Sequence, residues 1–219
     1  MFKRTIDIVF AFSLLVLAAP VLLLCALLIK LESPGPVLFR QKRMGRSFKV
    51  FYLYKLRTMT SGTQGLYYTV AGDPRITRLG AWLRRTKLDE FPQLINILRG
   101  EMSIVGPRPV VPQIAHDFRE EYELLLKVRP GLTDPASLKY CRESELLALV
   151  PDPVAYFETV VTPEKLRISS EYLQHMSAAS DLGLILRTAV AVIDTTVRPS
   201  RSGRSAGRKV QIDPQRDAG

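Results

Sequence analysis

Cysteine is scarce in this chain: Cys25 and Cys141 are the two present, far apart in the sequence. Neither a disulfide framework nor a zinc site can be read from such a pair, so both are taken as reduced, core-type residues. Acidic residues are also under-represented, with 21 Asp and Glu against 31 Lys and Arg and a formal net charge of +10. That balance suits an anionic partner: nucleic acid, phospholipid headgroups or a phosphorylated substrate. The basic residues lack interleaved aromatics and any recognised nucleic-acid motif, which argues against nucleic acid. No segment repeats internally. The 219 residues suffice for one domain with a sizeable core.

Charge is missing altogether between Asp7 and Lys30. Ile8 to Ile29 is an unbroken run of 22 uncharged, mostly apolar residues. At about 1.5 Å per residue a helix of this length reaches across a hydrocarbon core of about 30 Å. The run exceeds the roughly 7–15 residues of a signal-peptide core, and Ala18-Ala19 is followed at once by Pro20, so a cleaved signal fits badly. Pro20 near its centre removes a backbone donor and predicts a kink or break. Lys3 and Arg4 precede the run, and Lys30, Arg40, Lys42, Arg43, Arg46 and Lys49 follow it. The positive-inside tendency pulls both flanks to the cytoplasm. Two arrangements are compatible with this: a re-entrant helix broken at Pro20, and a plain spanning anchor with a proline kink.

Downstream, Pro34-Gly35-Pro36 makes a turn. Strand-like stretches follow at Val37–Arg40 and Phe48–Tyr54, joined by a basic loop through Arg43 and Arg46. Residues 60–74 read as a Gly/Thr/Ser loop. Helical periodicity covers Arg75–Arg85, Leu88–Leu98 with Gly100 as its cap, and Gln113–Val128 up to Pro130-Gly131. Further helices are expected at Glu143–Val150, Pro163–Met176 and Asp181–Ile193. The last is apolar over much of its surface and suits either a core or the face of a bilayer. Residues 197–219 are basic without apolar periodicity and read as a disordered tail. The expected fold class is α/β and helix-dominated. It divides into a membrane helix at 1–32, a small cytoplasmic catalytic domain at 33–195 and a tail at 196–219.

The informative block runs from Arg84 to Pro109. Asp89 and Glu90 are adjacent acids at the start of a short helix, where negative charge is favoured. Arg84, Arg85 and Lys87 precede them, and Gly106-Pro107-Arg108-Pro109 follows as a turn able to hold Arg108 rigidly. Paired acids can bind Mg²⁺, and fixed guanidiniums can grip phosphate oxygens. Acids, a metal and arginines at one place describe phosphoryl transfer. A carboxylate can also act as the nucleophile and form an acyl phosphate.

These residues carry a resemblance. Residues 1–195 resemble the bacterial sugar transferases, the monotopic polyprenyl-phosphate phosphoglycosyl transferases. The matching stretches are Phe2-Lys3-Arg4 and Asp7 leading into an apolar helix with a central proline, Ser33-Pro34-Gly35-Pro36-Val37 with Phe39-Arg40-Gln41, and Tyr54-Lys55-Leu56-Arg57-Thr58-Met59. They continue with Asp73-Pro74-Arg75-Ile76-Thr77, Leu88-Asp89-Glu90-Phe91-Pro92-Gln93-Leu94, Gly100-Glu101-Met102-Ser103 and Gly106-Pro107-Arg108-Pro109. Each is weak alone; their number, order and spacing are specific. The resemblance implies transfer of a phosphosugar from a UDP-sugar to polyprenyl phosphate, with release of UMP, through a covalent phosphosugar-aspartyl intermediate. It implies Asp89 as nucleophile, Glu90 holding Mg²⁺ or steering Asp89, and Arg84, Arg108 and Arg129 as phosphate-binding residues, with Lys55 and Arg57 in the same basic pocket. It places the chain on the cytoplasmic face of the bacterial inner membrane.

Three departures from the family pattern stand out. Ala19-Pro20 replaces a usual Ser-Pro at the helix break. Asp134-Pro135-Ala136-Ser137-Leu138-Lys139-Tyr140 stands where a Gly-Trp-Ala-Gln type of sequence is widespread. Lys87 replaces a usual small polar residue. The sugar pocket is therefore expected to differ. The competing readings are a membrane-tethered module binding nucleic acid or anionic lipid, and a non-catalytic scaffold. Both leave Asp89-Glu90 and the Arg108 turn without a task.

Overall fold

A computed structural model describes residues 2–60 and 73–197. The expected loop at 60–74, apart from its ends, and the expected tail beyond 197 lie outside the described residues, while Thr196 and Val197, expected to belong to the tail, are helical.

The 22-residue uncharged run sits inside one long helix, α1 (Phe2–Glu32), which continues through Pro20 without interruption. One narrow seam of α1 is buried: Asp7, Ala11, Ala18, Cys25 and Ile29, spaced four or seven residues apart. Its other faces expose Phe2, Leu17, Leu23 and Leu31, each more than 70% accessible, among other large apolar side chains. Leaving each in water forgoes about 1.5–3 kcal/mol. By length and composition α1 could cross a membrane.

Both ends of α1 are fastened to the same domain. Near the start, Asp7 is buried and accepts from Ser103 Oγ (2.8 Å) and the Ile104 N–H (3.1 Å). Arg4 donates to the Ile97 and Leu98 carbonyls, and Lys3 pairs with Asp181. At the far end Arg57 donates to the carbonyls of Ile29, Ser33 and Pro34, and the Leu79 N–H donates to Glu32. The seam fills two apolar clusters on the way. Ala11 joins Phe51, Leu53, Leu94, Ile97, Met102, Ile104, Val105 and Leu184, while Cys25 and Ile29 join Leu56 and Leu83.

The Val/Tyr/Phe-rich stretches after the Pro34-Gly35-Pro36 turn form an antiparallel hairpin, β1 (Leu38–Met44) and β2 (Val50–Leu56), in the register Leu38↔Leu56 to Met44↔Val50. Strand alternation puts Arg43, Phe51, Leu53 and Lys55 on one face and Arg40, Lys42, Tyr52 and Tyr54 on the other. Arg43 and Met44, expected in a loop, are paired strand residues. The reversal falls later, where Ser47 and Phe48 adopt positive φ.

The first helices after the hairpin are shorter than periodicity suggests. α2 (Arg78–Thr86) is capped by Thr77 and ends at Lys87, a non-glycine in the left-handed region at φ 58°. Leu88–Glu90 form a single 3₁₀ turn, and α3 (Gln93–Arg99) follows, closed by Gly100 at φ 83°. One expected helix is thus two pieces, because Pro92 has no N–H to continue the ladder. β3 (Ser103–Val105) then leads to the Gly106–Pro109 turn. The expected helix Gln113–Val128 divides at Phe118, which leaves helical geometry, into α4 (Pro112–Asp117) and α5 (Arg119–Leu125).

β4 (Gly131–Thr133) pairs in parallel with β3, Ser103 opposite Gly131 and Val105 opposite Thr133. Three-residue strands carry too little periodicity to be seen in sequence. α6 (Pro135–Lys139), α7 (Glu143–Leu147) and α8 (Pro153–Tyr156) follow. A π-helical turn at Phe157–Val161 connects α8 to α9 (Thr162–Gln174). α10 (Ala178–Val197) closes the described chain. It buries Leu184 in the main cluster and exposes Leu182, Leu186, Val190, Ile193 and Val197 along one stripe. The α/β, helix-dominated class agrees with the sequence reading.

Candidate active site

Asp89 and Glu90 lie in the 3₁₀ turn between α2 and α3, not inside a helix. The turn presents the two carboxylates at different depths. Glu90 Oε1 accepts from Lys55 Nζ (2.8 Å) and from Arg108 (2.5 Å). Asp89 is 6% exposed, and its buried Oδ1 meets no hydrogen-bond partner among the described residues. An orphaned carboxylate oxygen at a buried position is costly, and such groups mark functional strain or an absent ligand.

Four cations surround this pair. Lys55 is delivered by β2, whose position relative to α3 is set by Asn96. This fully buried amide donates to the Tyr52 carbonyl (2.7 Å) and to Glu101 (2.6 Å), and accepts from the Tyr54 N–H (3.2 Å). Arg108 rides on a turn clamped from two sides. The Gly131 N–H donates to the Pro107 carbonyl (2.9 Å), and the Gly106 N–H to that of Thr133 (3.1 Å). On the other side Arg43 donates to the Pro109 carbonyl (3.2 Å) and holds Gln41. Arg84, on the last turn of α2, is steadied by Thr58 Oγ1 (2.8 Å). Lys87 completes the ring.

The electrostatics separate the two acids. Burial pushes Glu90 up, but Arg108 and Lys55 outweigh it and hold the carboxyl well below its ordinary range. Asp89 lies above the ordinary aspartate range, chiefly because it is buried, with Lys55 as the largest opposing influence and Glu90 adding to the rise. Burial lowers Lys55, offset in part by Glu90. Burial together with the nearby charge of Arg108 brings Arg43 down to about 10. Two neighbouring carboxylates with oppositely displaced affinities for the proton mark different roles.

Of the residues singled out in the sequence, Asp89, Glu90, Lys55, Arg84 and Arg108 converge. Arg57 and Arg129 are placed elsewhere. The Arg57 guanidinium is buried against the carbonyls that end α1, because the helix C-terminus there needs donors. Arg129 donates to the Gly100 carbonyl (2.7 Å), and Arg46, Arg4 and Asp7 are its charged neighbours. With Arg4 it caps the C-terminal carbonyls of α3, where cations are favoured. The family resemblance implies phosphate contact for Arg129, and the described contacts give it helix-end carbonyls instead. Pro20 lies in α1. Sequence reading missed Asn96, Arg43 and Thr58. Arg43 was within sight in the basic Arg40–Arg46 stretch, but an asparagine amid Leu94–Leu98 gives no signal until β2 is placed beside it.

Buried acids of unequal proton affinity with cations beside them are chemically suited to a phosphorylated ligand. A family model described as bacterial sugar transferase matches residues 1–195, and the chain belongs to that family. It is therefore an enzyme, a sugar transferase. The chain is 42% identical over 201 residues to a UDP-glucose:undecaprenyl-phosphate glucose-1-phosphate transferase of Caulobacter vibrioides, covering 88% of this chain and 70% of that protein. It is 40% identical over 192 residues to a protein of the same name from Escherichia coli, covering 85% of this chain and 39% of the other. It is also 40% identical over 136 residues to a UDP-N-acetylgalactosamine-undecaprenyl-phosphate N-acetylgalactosaminephosphotransferase of Aeromonas hydrophila, covering 60% and 32%. The chain thus spans well under half the length of the last two.

Proposed function

We propose that the chain transfers a phosphosugar from a UDP-sugar to polyprenyl phosphate, giving polyprenyl diphosphosugar and UMP. The observation that carries this is the buried Asp89 oxygen, without a partner among the described residues, next to Glu90 and the Lys55 and Arg108 that hold it. In the first step an Asp89 oxygen attacks the β-phosphorus of the donor. The phosphoanhydride bond to the α-phosphate breaks, and UMP leaves with that bond's electron pair. In the second step a phosphate oxygen of the acceptor attacks the same phosphorus and the carboxylate departs unchanged. Arg108, Lys55, Arg84 and Lys87 neutralise charge that builds on the equatorial and leaving oxygens. Glu90, held ionised between Lys55 and Arg108, fixes both cations.

Among the described residues no group of three or more His, Cys, Asp or Glu could by itself hold a metal ion. Mg²⁺ commonly binds through one or two carboxylates and substrate phosphates, and the open Asp89 oxygen beside Glu90 fits that pattern. Asp89 and Glu90 would hold it, and it supplies further neutralisation of the diphosphate. The experiment is UMP release by the purified protein from a panel of UDP-sugars, with Mg²⁺ and with EDTA. No UMP from any donor in the presence of acceptor overturns the assignment.

The acid limb of kcat/KM reports the proton affinity of Asp89 in the free enzyme. Lys55 lowers that affinity, so its loss raises it further and fewer molecules carry the ionised nucleophile at a given pH. In Lys55→Met the acid limb is expected to move to higher pH. The alkaline loss caused by deprotonation of Lys55 itself should disappear. An acid limb that stays put, or moves to lower pH, contradicts this role.

Membrane seating follows from the exposed apolar faces of α1 and α10. Because both ends of α1 are tied to one domain, both are proposed to lie at the cytoplasmic face of the inner membrane; α1 is continuous through Pro20, so this re-entrant course requires α1 to bend at Pro20 within the bilayer and not to break there. Single cysteines at positions 2 and 32 in intact cells should both resist a membrane-impermeant maleimide and react after lysis. Labelling of position 2 from outside rules out the re-entrant arrangement.

A further inference from the structure

A second cluster of charged and aromatic groups adjoins Arg108 and takes no part in the chemistry described above. Lys165 on α9 pairs with Glu143 on α7, and its ammonium lies over the rings of Tyr140 (5.4 Å) and Phe157 (5.5 Å). The Lys165 side chain is 26% exposed and that of Glu143 23%. The cluster is joined to the Arg108 turn through β4: the Gly106 N–H donates to the Thr133 carbonyl (3.1 Å), and the next residue, Asp134, accepts from Ser169 Oγ (2.9 Å), one turn along α9 from Lys165. Phe157 is brought over Lys165 by the π-helical turn Phe157–Val161. Such wide turns are rare and concentrate at functional places.

Stability is a poor reason for this arrangement. A half-buried Lys–Glu pair gives back in attraction about what it loses in hydration. What the two rings do is immobilise the ammonium. It spends one hydrogen on Glu143 and holds its remaining donors in a fixed direction. A caged ammonium beside a carboxylate presents a donor and an acceptor side by side. That suits a vicinal pair of hydroxyls, which both give and accept hydrogen bonds. A phosphate, which only accepts, has no use for Glu143.

We propose that Tyr140, Glu143, Phe157 and Lys165 form the wall that reads the hydroxyl pattern of the donor's sugar, an inference that rests on the reaction proposed above. Tyr140 ends the segment Asp134–Tyr140, where the chain departs from the family pattern. The related proteins, in turn, are named for different sugars on a common lipid acceptor.

The test is UMP release from UDP-glucose, UDP-galactose and their N-acetylamino counterparts by wild type, Glu143→Gln, Lys165→Met and Lys165→Arg. Lys139→Met serves as control for the loss of a positive charge near Tyr140; Lys139 is exposed and paired with Glu164. The ratio of kcat/KM between the best donor and its C4 epimer should fall about tenfold or more in Glu143→Gln and Lys165→Met. KM should rise more than kcat falls, and Lys165→Arg should recover part of the preference. Inhibition by UMP should match wild type, since the nucleotide end is untouched. Lys139→Met should behave as wild type. An unchanged donor preference in active Glu143→Gln and Lys165→Met overturns the proposal, as does weakened UMP inhibition in step with KM. Absence of UMP release from wild type refutes the proposed reaction itself, and this inference with it.

Discussion

Asp89→Asn is expected to lose turnover by about 10³-fold or more, while the protein stays folded and still binds UDP-sugar. An amide cannot attack phosphorus, but it nearly matches the carboxylate in shape. It also removes a buried charge that already sits above its ordinary proton affinity, so folding should not suffer. Wild type given UDP-sugar without acceptor should release up to about one equivalent of UMP per enzyme, the mark of a two-step route. Intact-mass analysis of that mixture should show a phosphosugar adduct that maps to Asp89. The rival mechanism has the acceptor attack the donor directly, with Asp89 a metal ligand. It requires acceptor for any UMP release and leaves no adduct. No burst together with no adduct would falsify the covalent route. Glu90→Gln should be damaged differently. Lys55 and Arg108 lose the charge that fixes them, so residual turnover should survive with a greatly raised KM.

Gly131→Ala is expected to cost about 3 kcal/mol or more, lowering the melting temperature by about 6–12 °C. A methyl group at position 131 would lie 2.1 Å from the Gly106 nitrogen and 2.3 Å from its carbonyl oxygen. Both are backbone atoms of the residue that follows β3 and cannot swing aside. Separating the strands also moves the Pro107 carbonyl, which the Gly131 N–H holds at 2.9 Å, and with it Arg108. The loss should therefore appear in UMP release as well as in thermal unfolding of the detergent-solubilised protein. A melting temperature within about 2 °C of wild type would show that β3 and β4 can part without consequence.

The stretches legible in sequence share a property: their signal is local. α1 was visible because 22 uncharged residues leave few alternatives to a lipid-facing helix. The hairpin showed as two β-rich runs, though its reversal was set too early, because positive φ at Ser47 and Phe48 runs against residue preference. Gly100 as a helix end was readable for the converse reason, a glycine where φ must be positive. β3 and β4 were missed. Their pairing depends on two glycines meeting from opposite ends of a 25-residue stretch, about which neither three-residue segment says anything locally.

The same division runs through the site. Adjacent acids flanked by arginines and a proline-bound turn were enough to nominate Asp89, Glu90, Arg84 and Arg108, while Lys55 entered through the family resemblance of Tyr54–Met59. All of them lie within or near motifs whose residue types suit phosphate chemistry in any arrangement. What sequence could not say is which carboxylate is tied down and which stays open, since that depends on Lys55 and Arg108 reaching Glu90 from 35 and 18 residues away. Nor could it separate Arg57 and Arg129 from the arginines of the site. A guanidinium binds phosphate oxygens and helix-end carbonyls equally well, and only packing put the carbonyls ending α1 within reach of Arg57 and that of Gly100, ending α3, within reach of Arg129. The sequence by itself determined the apolar helix, the inventory of charged groups and their turn-forming neighbours, because those follow from composition and short-range backbone preference. The tertiary structure alone decided which charges meet, because hydrogen bonds and ion pairs act over a few ångströms, and that proximity comes from packing distant segments together.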